Sequence, residues 1–108
     1  MNLSALQIQV QTLAGQYGLS DDLQIRYIDA CAELGEVGKE LLKASEYGTQ
    51  APAASEMLAD ELGDTLFSLL LLASAAGIDL QAALEGSLRK YRARWEAAGG
   101  IGSEGVQP

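Results

Sequence analysis

Glu33-Leu34-Gly35-Glu36-Val37-Gly38-Lys39-Glu40-Leu41-Leu42-Lys43 carries two helical stripes at once. Leu34, Val37 and Leu41 recur at helical spacing and extend backwards through Cys31 (or Ala30) to Tyr27 and Leu23 as one apolar stripe. Asp29, Glu33, Glu36 and Glu40 step by four, three and four and form an acidic stripe beside it. Ser20-Asp21-Asp22 supplies a capping residue and acids suited to the positive end of the helix dipole. The spacing therefore predicts a long helix from these residues to about Tyr47, stopped by Gly48.

A second acidic pair, Glu61-Leu62-Gly63-Asp64, has the same three-residue spacing. It falls on a predicted helix from about Ala54 to Ala76, with Ser55 as a cap and Pro52 in the loop before it. On an α-helix a three-residue step puts both carboxylates on one face. Glu36 lies roughly 16 Å above the end of its helix, and Glu61 roughly 10 Å into the next, at 1.5 Å per residue. If the two helices run antiparallel, the acidic pairs come out about level.

The flanking segments are helical too. Leu3, Leu6, Val10, Leu13 and Tyr17 make the apolar stripe of a first helix, from about Leu3 to Gln16, ended by Gly18. After Gly77-Ile78, Asp79 caps a fourth helix from Leu80 to about Ala98. Its expected buried side is Leu80, Ala83, Leu84, Leu88, Tyr91 and Trp95. No stretch alternates as a strand would. The expectation is one all-α domain over residues 1–98, a four-helix bundle-like protomer with a long second helix, followed by a glycine-rich tail over 99–108. Leu66-Phe67-Ser68-Leu69-Leu70-Leu71-Leu72-Ala73 is apolar on nearly every side, which calls for a covering subunit and predicts a homodimer.

Composition narrows the function. The 108 residues carry a net charge of −8, which disfavours nucleic acid and anionic membranes as partners. The N-terminus has no signal-peptide pattern, and the most apolar run, Leu66 to Ala76, is too short to span a bilayer. A cytoplasmic protein is expected. Cys31 is the only cysteine, so no internal disulfide forms; it reads as a small core residue. There is no histidine, which removes a common zinc and iron ligand.

Acids at helical spacing also make ordinary solvated faces, and Glu36/Lys39 and Glu40/Lys43 are plausible i,i+3 ion pairs. Spacing alone leaves that reading open. Four carboxylates held together would raise each other's pKa, and a divalent cation would resolve the repulsion. All-oxygen ligation suits magnesium or manganese; calcium also fits, but no EF-hand loop is present. Carboxylate-held magnesium commonly meets phosphates, and Lys39, Lys43 and the basic cluster Arg89, Lys90, Arg92 and Arg94 could complement a polyphosphate.

Residues 20–96 resemble the MazG-like nucleoside triphosphate pyrophosphohydrolases of the all-α NTP pyrophosphatase group. The resemblance rests on Glu33-x-x-Glu36 and Glu61-x-x-Asp64, on the flanks quoted above, and on Tyr47-Gly48, Thr65-Leu66-Phe67, Gly77-Ile78-Asp79-Leu80 and Lys90-Tyr91-x-x-Arg94. It implies a Mg2+-dependent (Mn2+ possible) cut between the α- and β-phosphates of a nucleoside triphosphate, giving a monophosphate and pyrophosphate. The associated role is clearance of non-standard or excess nucleotides. It further implies Glu33, Glu36, Glu61 and Asp64 as metal ligands, with Glu33 and Glu36 catalytic and one carboxylate orienting the attacking water. Lys39, Lys90 and Arg94 would bind phosphates. Assembly would be a homodimer or dimer of dimers, and Gly100-Ile101-Gly102-Ser103 resembles a tail segment that closes over substrate. Another nucleotide such as phosphoribosyl-ATP, or a non-catalytic dimerisation or regulatory module, are the alternatives. Tyr17 is the sole aromatic residue of the first helix region, which leaves base selectivity open.

Overall fold

Four short polar side chains set the starts of four helices. Asn2, Asp22, Ser55 and Asp79 each accept a hydrogen bond from a backbone N–H in the first turn that follows, satisfying donors that the helix itself leaves free. The computed structural model describes residues 1–102, and its elements are α1 (Leu3–Gln16), α2 (Leu23–Ala44), α3 (Glu56–Ala75) and α4 (Leu80–Ala98). Among the described residues there is no strand, so the protein is all-α as expected. The bounds of α1 and α4 match the expectation; the caps Ser55 and Asp79 do as well. Residues 103–108, including Ser103 of the proposed closing segment, lie outside the described residues.

α2 is shorter than expected. It ends at Ala44 rather than Tyr47, because the Ser45 hydroxyl donates to the Leu42 carbonyl (3.1 Å) and accepts from the Gly48 N–H (2.9 Å). That side-chain route competes with helix continuation. Glu46 and Tyr47 then take positive φ, 48° and 59°, and the Tyr47 N–H closes onto the Leu42 carbonyl at 2.7 Å. The N-cap of α2 is Asp22; Ser20 instead accepts from the Asp22 N–H. α3 begins at Glu56, two residues later than expected. Since the end of one helix and the start of the next both retreat, the predicted levelling of the two acidic pairs survives.

α2 and α3 share the most extensive helix contact; α1 packs on α3, and α4 packs on α1. α3 and α4 meet at 100°. The turn between them is tight: Gly77 at φ 71° lets the Ile78 N–H reach the Ala73 carbonyl at 2.8 Å. No residue of α4 is buried, and of its expected buried side only Leu80 is half-buried, with Trp95 61% exposed. The cause is this corner, which swings α4 away from the α2–α3 pair.

The core is small: Ala14, Ala30, Val37, Leu70, Leu71 and Ala73 are its buried apolar residues. The inward face of α2 also differs from the expected apolar stripe. Arg26, Ala30 and Val37 are buried with Asp29, Glu33 and Glu40 half-buried beside them, whereas Leu23, Tyr27, Leu34 and Leu41 are exposed. Cys31 is exposed and not a core residue. On α1 the inward face runs through Leu3, Gln7, Val10 and Ala14 rather than through Leu6, Leu13 and Tyr17. Of the expected stripes, Ala30 and Val37 on α2 and Leu3 and Val10 on α1 do point inward, whereas the other large members face outward. The radius of gyration, 16.9 Å, exceeds the roughly 13 Å of a compact domain of this length. No single helix among the described residues is long and apolar enough to cross a membrane.

Candidate metal centre

The antiparallel α2–α3 contact brings the acidic stripe of one helix against the acidic pair of the other. Carboxylate oxygens of Glu33, Glu61 and Asp64 lie within 4.8 Å of one another. Glu33 and Glu61 are half-buried, and Asp64 is exposed. Glu36 is exposed and lies outside this cluster of three, though its charge acts on both glutamates.

Proximity shows in the proton affinities. Partial burial, then the charges of Asp64, Asp29 and Glu36, hold the Glu33 carboxyl above its ordinary value. Glu61 is raised by partial burial and then by Asp64, Glu36, Glu33 and Glu40. Both shifts reflect desolvation and the repulsion of neighbouring negative charge. The donor set is hard oxygen throughout, and the cluster has two ligands on one helix and one on the other. It fits a divalent cation of the magnesium or manganese kind, which would relieve the strain that raises Glu33 and Glu61.

The basic residues occupy two places. Lys39 is exposed on α2, and Lys43 pairs with Glu40 at 3.5 Å. The Glu36/Lys39 pair is not among the ion pairs of the described residues. Lys90 and Arg94 lie on α4: the Lys90 ammonium sits 4.9 Å from the Tyr91 ring centroid, and the Arg94 guanidinium 5.9 Å from the same ring. Arg94 Nη1 also donates to the Ile101 carbonyl at 3.1 Å, tying the start of the tail to the helix. These two cations belong to the helix that packs on α1, and the carboxylates belong to the α2–α3 pair.

Two residues of this interface, Arg26 and Ser68, escaped the sequence reading. Arg26 is buried one turn before Asp29 and pairs with it at 3.6 Å. Ser68 on α3 donates to Asp29 Oδ2 at 3.2 Å. The available signal was Arg26-x-x-Asp29, an i,i+3 pair on the acidic stripe and just ahead of Glu33.

Neither curated proteins nor solved structures give a significant match. The family model described as the MazG nucleotide pyrophosphohydrolase domain matches residues 27–98, a span that begins within α2 and closes with the last residue of α4. A match over that share of the chain shows its kinship: the protein belongs to the MazG nucleotide pyrophosphohydrolase domain family.

Proposed function

We propose that the protein is a Mg2+-dependent nucleoside triphosphate pyrophosphohydrolase that releases a nucleoside monophosphate and pyrophosphate, with clearance of non-standard or excess nucleotides as its role. The observation that carries the reading is the meeting of Glu33, Glu61 and Asp64 across α2 and α3, in a chain of this family. In this reading Glu33, Glu61 and Asp64 hold the cation, and Glu36 joins them from the same face of α2. A divalent cation there supplies Lewis-acid polarisation of phosphate oxygens. Glu33 orients the attacking water and accepts its proton. Lys39 of α2 and Lys90 and Arg94 of α4 bind phosphate oxygens. The substrate is a small molecule, and neither nucleic acid nor membrane is a partner.

Homodimers or dimers of dimers complete the proposal. Its support is the outward apolar surface: Leu23, Tyr27 and Leu34 on α2, Leu66 and Leu69 on α3, and Trp95 on α4 are all exposed. Patches of this kind rimmed by polar residues are characteristic of interfaces. Among the described residues no large side chain is fully buried.

The test is a panel of ribo- and deoxynucleoside triphosphates plus phosphoribosyl-ATP, incubated with Mg2+, with pyrophosphate release as the readout. Hydrolysis of a triphosphate is expected to fall in Glu36→Ala and Glu61→Ala by more than the ~10–100-fold typical of residues behind the ligands. Turnover surviving both substitutions would overturn the metal assignment. Absence of turnover on the whole panel, with no Mg2+ binding by calorimetry, would favour a non-catalytic module. Light scattering of the wild type at micromolar concentration is expected to show at least a dimer.

A further inference from the structure

One helical turn beyond the carboxylate cluster, the α2–α3 interface holds a second polar group. Asp29 precedes Glu33 by four residues and Ser68 follows Asp64 by four, about 6 Å along each antiparallel helix. The Ser68 hydroxyl, on a residue only 3% exposed, donates across the interface to Asp29 Oδ2 at 3.2 Å. The same Asp29 oxygen lies 3.6 Å from the Arg26 guanidinium, and the Asp29 side chain is 44% exposed. The Arg26 side chain is 10% exposed, and among the described residues its Nε has no hydrogen-bond partner.

Fold stability is a poor explanation for this arrangement. The pair joins a buried guanidinium to a carboxylate that is 44% exposed, at a loose 3.6 Å, so its screened attraction does little to offset the desolvation of Arg26. An unpaired buried Nε adds to the cost. What a buried polar contact does well is select one register between two helices, because every other register leaves it unsatisfied. Here the register at stake decides whether Glu33 faces Glu61 and Asp64. Slipping α2 by one residue on α3 would rotate Glu33 about 100° away from its partners.

We propose that Arg26, Asp29 and Ser68 form a positioning unit that fixes α2 on α3 and so sets the spacing of Glu33 from Glu61 and Asp64, and with it the affinity of the cluster for a divalent cation. The proposal rests on the reading of that cluster as a cation site. It differs in sign from a purely electrostatic role. Arg26 adds positive charge near the site, so as a charge alone it weakens cation binding and its removal tightens it. As part of a clamp, its removal loosens the site and weakens binding.

The experiment titrates Mn2+ into wild type, Ser68→Ala and Arg26→Met by calorimetry, well below each unfolding midpoint, with Glu61→Gln as the control that removes the site. Amide hydrogen exchange of the α2 and α3 turns carrying Glu33 and Asp64 is measured without metal. Ser68→Ala changes no charge, yet its Mn2+ dissociation constant is expected to rise about tenfold, in the range seen for partners behind the ligands. Arg26→Met is expected to weaken binding in the same direction, and both variants to exchange faster at the two turns. Wild-type affinity and exchange in Ser68→Ala would overturn the proposal. Tighter binding in Arg26→Met would overturn it as well, in favour of a charge role. If wild type and Glu61→Gln bind Mn2+ alike, the cation reading fails, and the exchange rates still decide whether the three residues hold the register.

Discussion

The two sides of α3 handle buried polarity in opposite ways. Toward α2, the interface holds charge: Arg26 with a bare Nε, Asp29 shared by two partners, and Glu33 and Glu61 pushed toward protonation. Toward α1 and the α3–α4 corner, the interface is neutral and fully paired at its centre. Gln7 Nε2 donates to Ser74 Oγ at 3.2 Å and to the Ile78 carbonyl at 2.7 Å, and its Oε1 accepts from the Leu80 N–H at 2.9 Å. Ser4 adds its backbone N–H to Gln81 Oε1 and its hydroxyl to Asp79. One side is arranged so that an added cation would relieve it; the other needs nothing added and holds the corner that turns α4 away. Paired neutral contacts and clustered charge are thus separated onto two faces of one helix.

The largest expected effect tests the neutral side. Gln7→Leu keeps the approximate volume but strands the Ile78 carbonyl and the Leu80 N–H, at ~1–3 kcal/mol for a buried group left unpaired. A loss of about 2–4 kcal/mol in urea unfolding is expected, read at one protein concentration. Mn2+ affinity of the folded variant should stay at the wild-type value. A Gln7→Leu protein that is as stable as wild type, or that loses Mn2+ binding while folded, would erase the contrast between the two faces.

A smaller effect compares two helix caps. Ser55 does one thing, accepting from the Leu58 N–H at 3.1 Å at the start of α3, and Ser55→Ala should remove about 1 kcal/mol. Asp79 caps α4 through the Gln81 N–H and also accepts from the Ser4 hydroxyl at 2.8 Å, joining α1 to the corner. Asp79→Ala should therefore remove more, about 2 kcal/mol. Equal losses by thermal unfolding would mean that the Ser4 hydroxyl contact with Asp79 contributes nothing.

The helices were legible because their punctuation is chemical and local. Ser55 and Asp79 announced their helices, and Gly18, Gly77 and Gly99 marked ends with φ of 65°, 71° and 73°. The acidic pairs were legible because helical spacing and chain direction together fix which residues meet, and Glu33, Glu61 and Asp64 do. What remained hidden was the direction each face points. The apolar stripe read on α2 placed Ala30 and Val37 correctly, yet Leu34 and Leu41 stay exposed and the interior received Arg26 instead. A hydrophobic stripe announces burial against something, and a single chain does not say whether that something is itself or another copy. Gln7 was hidden for the converse reason: a buried amide needs partners from Ser74, Ile78 and Leu80, far along the chain, and no local pattern predicts them.

The smallest expected effect belongs to the charged side and is a matter of pH. Folding raises the proton affinity of Glu33 and Glu61 above their ordinary value of 4.5. The folded protein then binds protons that the unfolded chain has released, so these two groups stabilise it most at low pH. Their contribution is fully present below the unfolded value of 4.5 and is lost as pH rises through the raised folded values. Metal-free protein should therefore lose urea resistance over this window, and Glu33→Gln/Glu61→Gln should lose less, because it has no proton to give up there. Comparing the two slopes cancels the other acids. Mg2+ should reverse the effect in wild type alone, since the carboxylates it needs are the ones that ionise, and its stabilisation should grow with pH across the same range. Identical metal-free slopes would mean that the cluster carries no strain for a cation to relieve, and the two faces of α3 would then be alike.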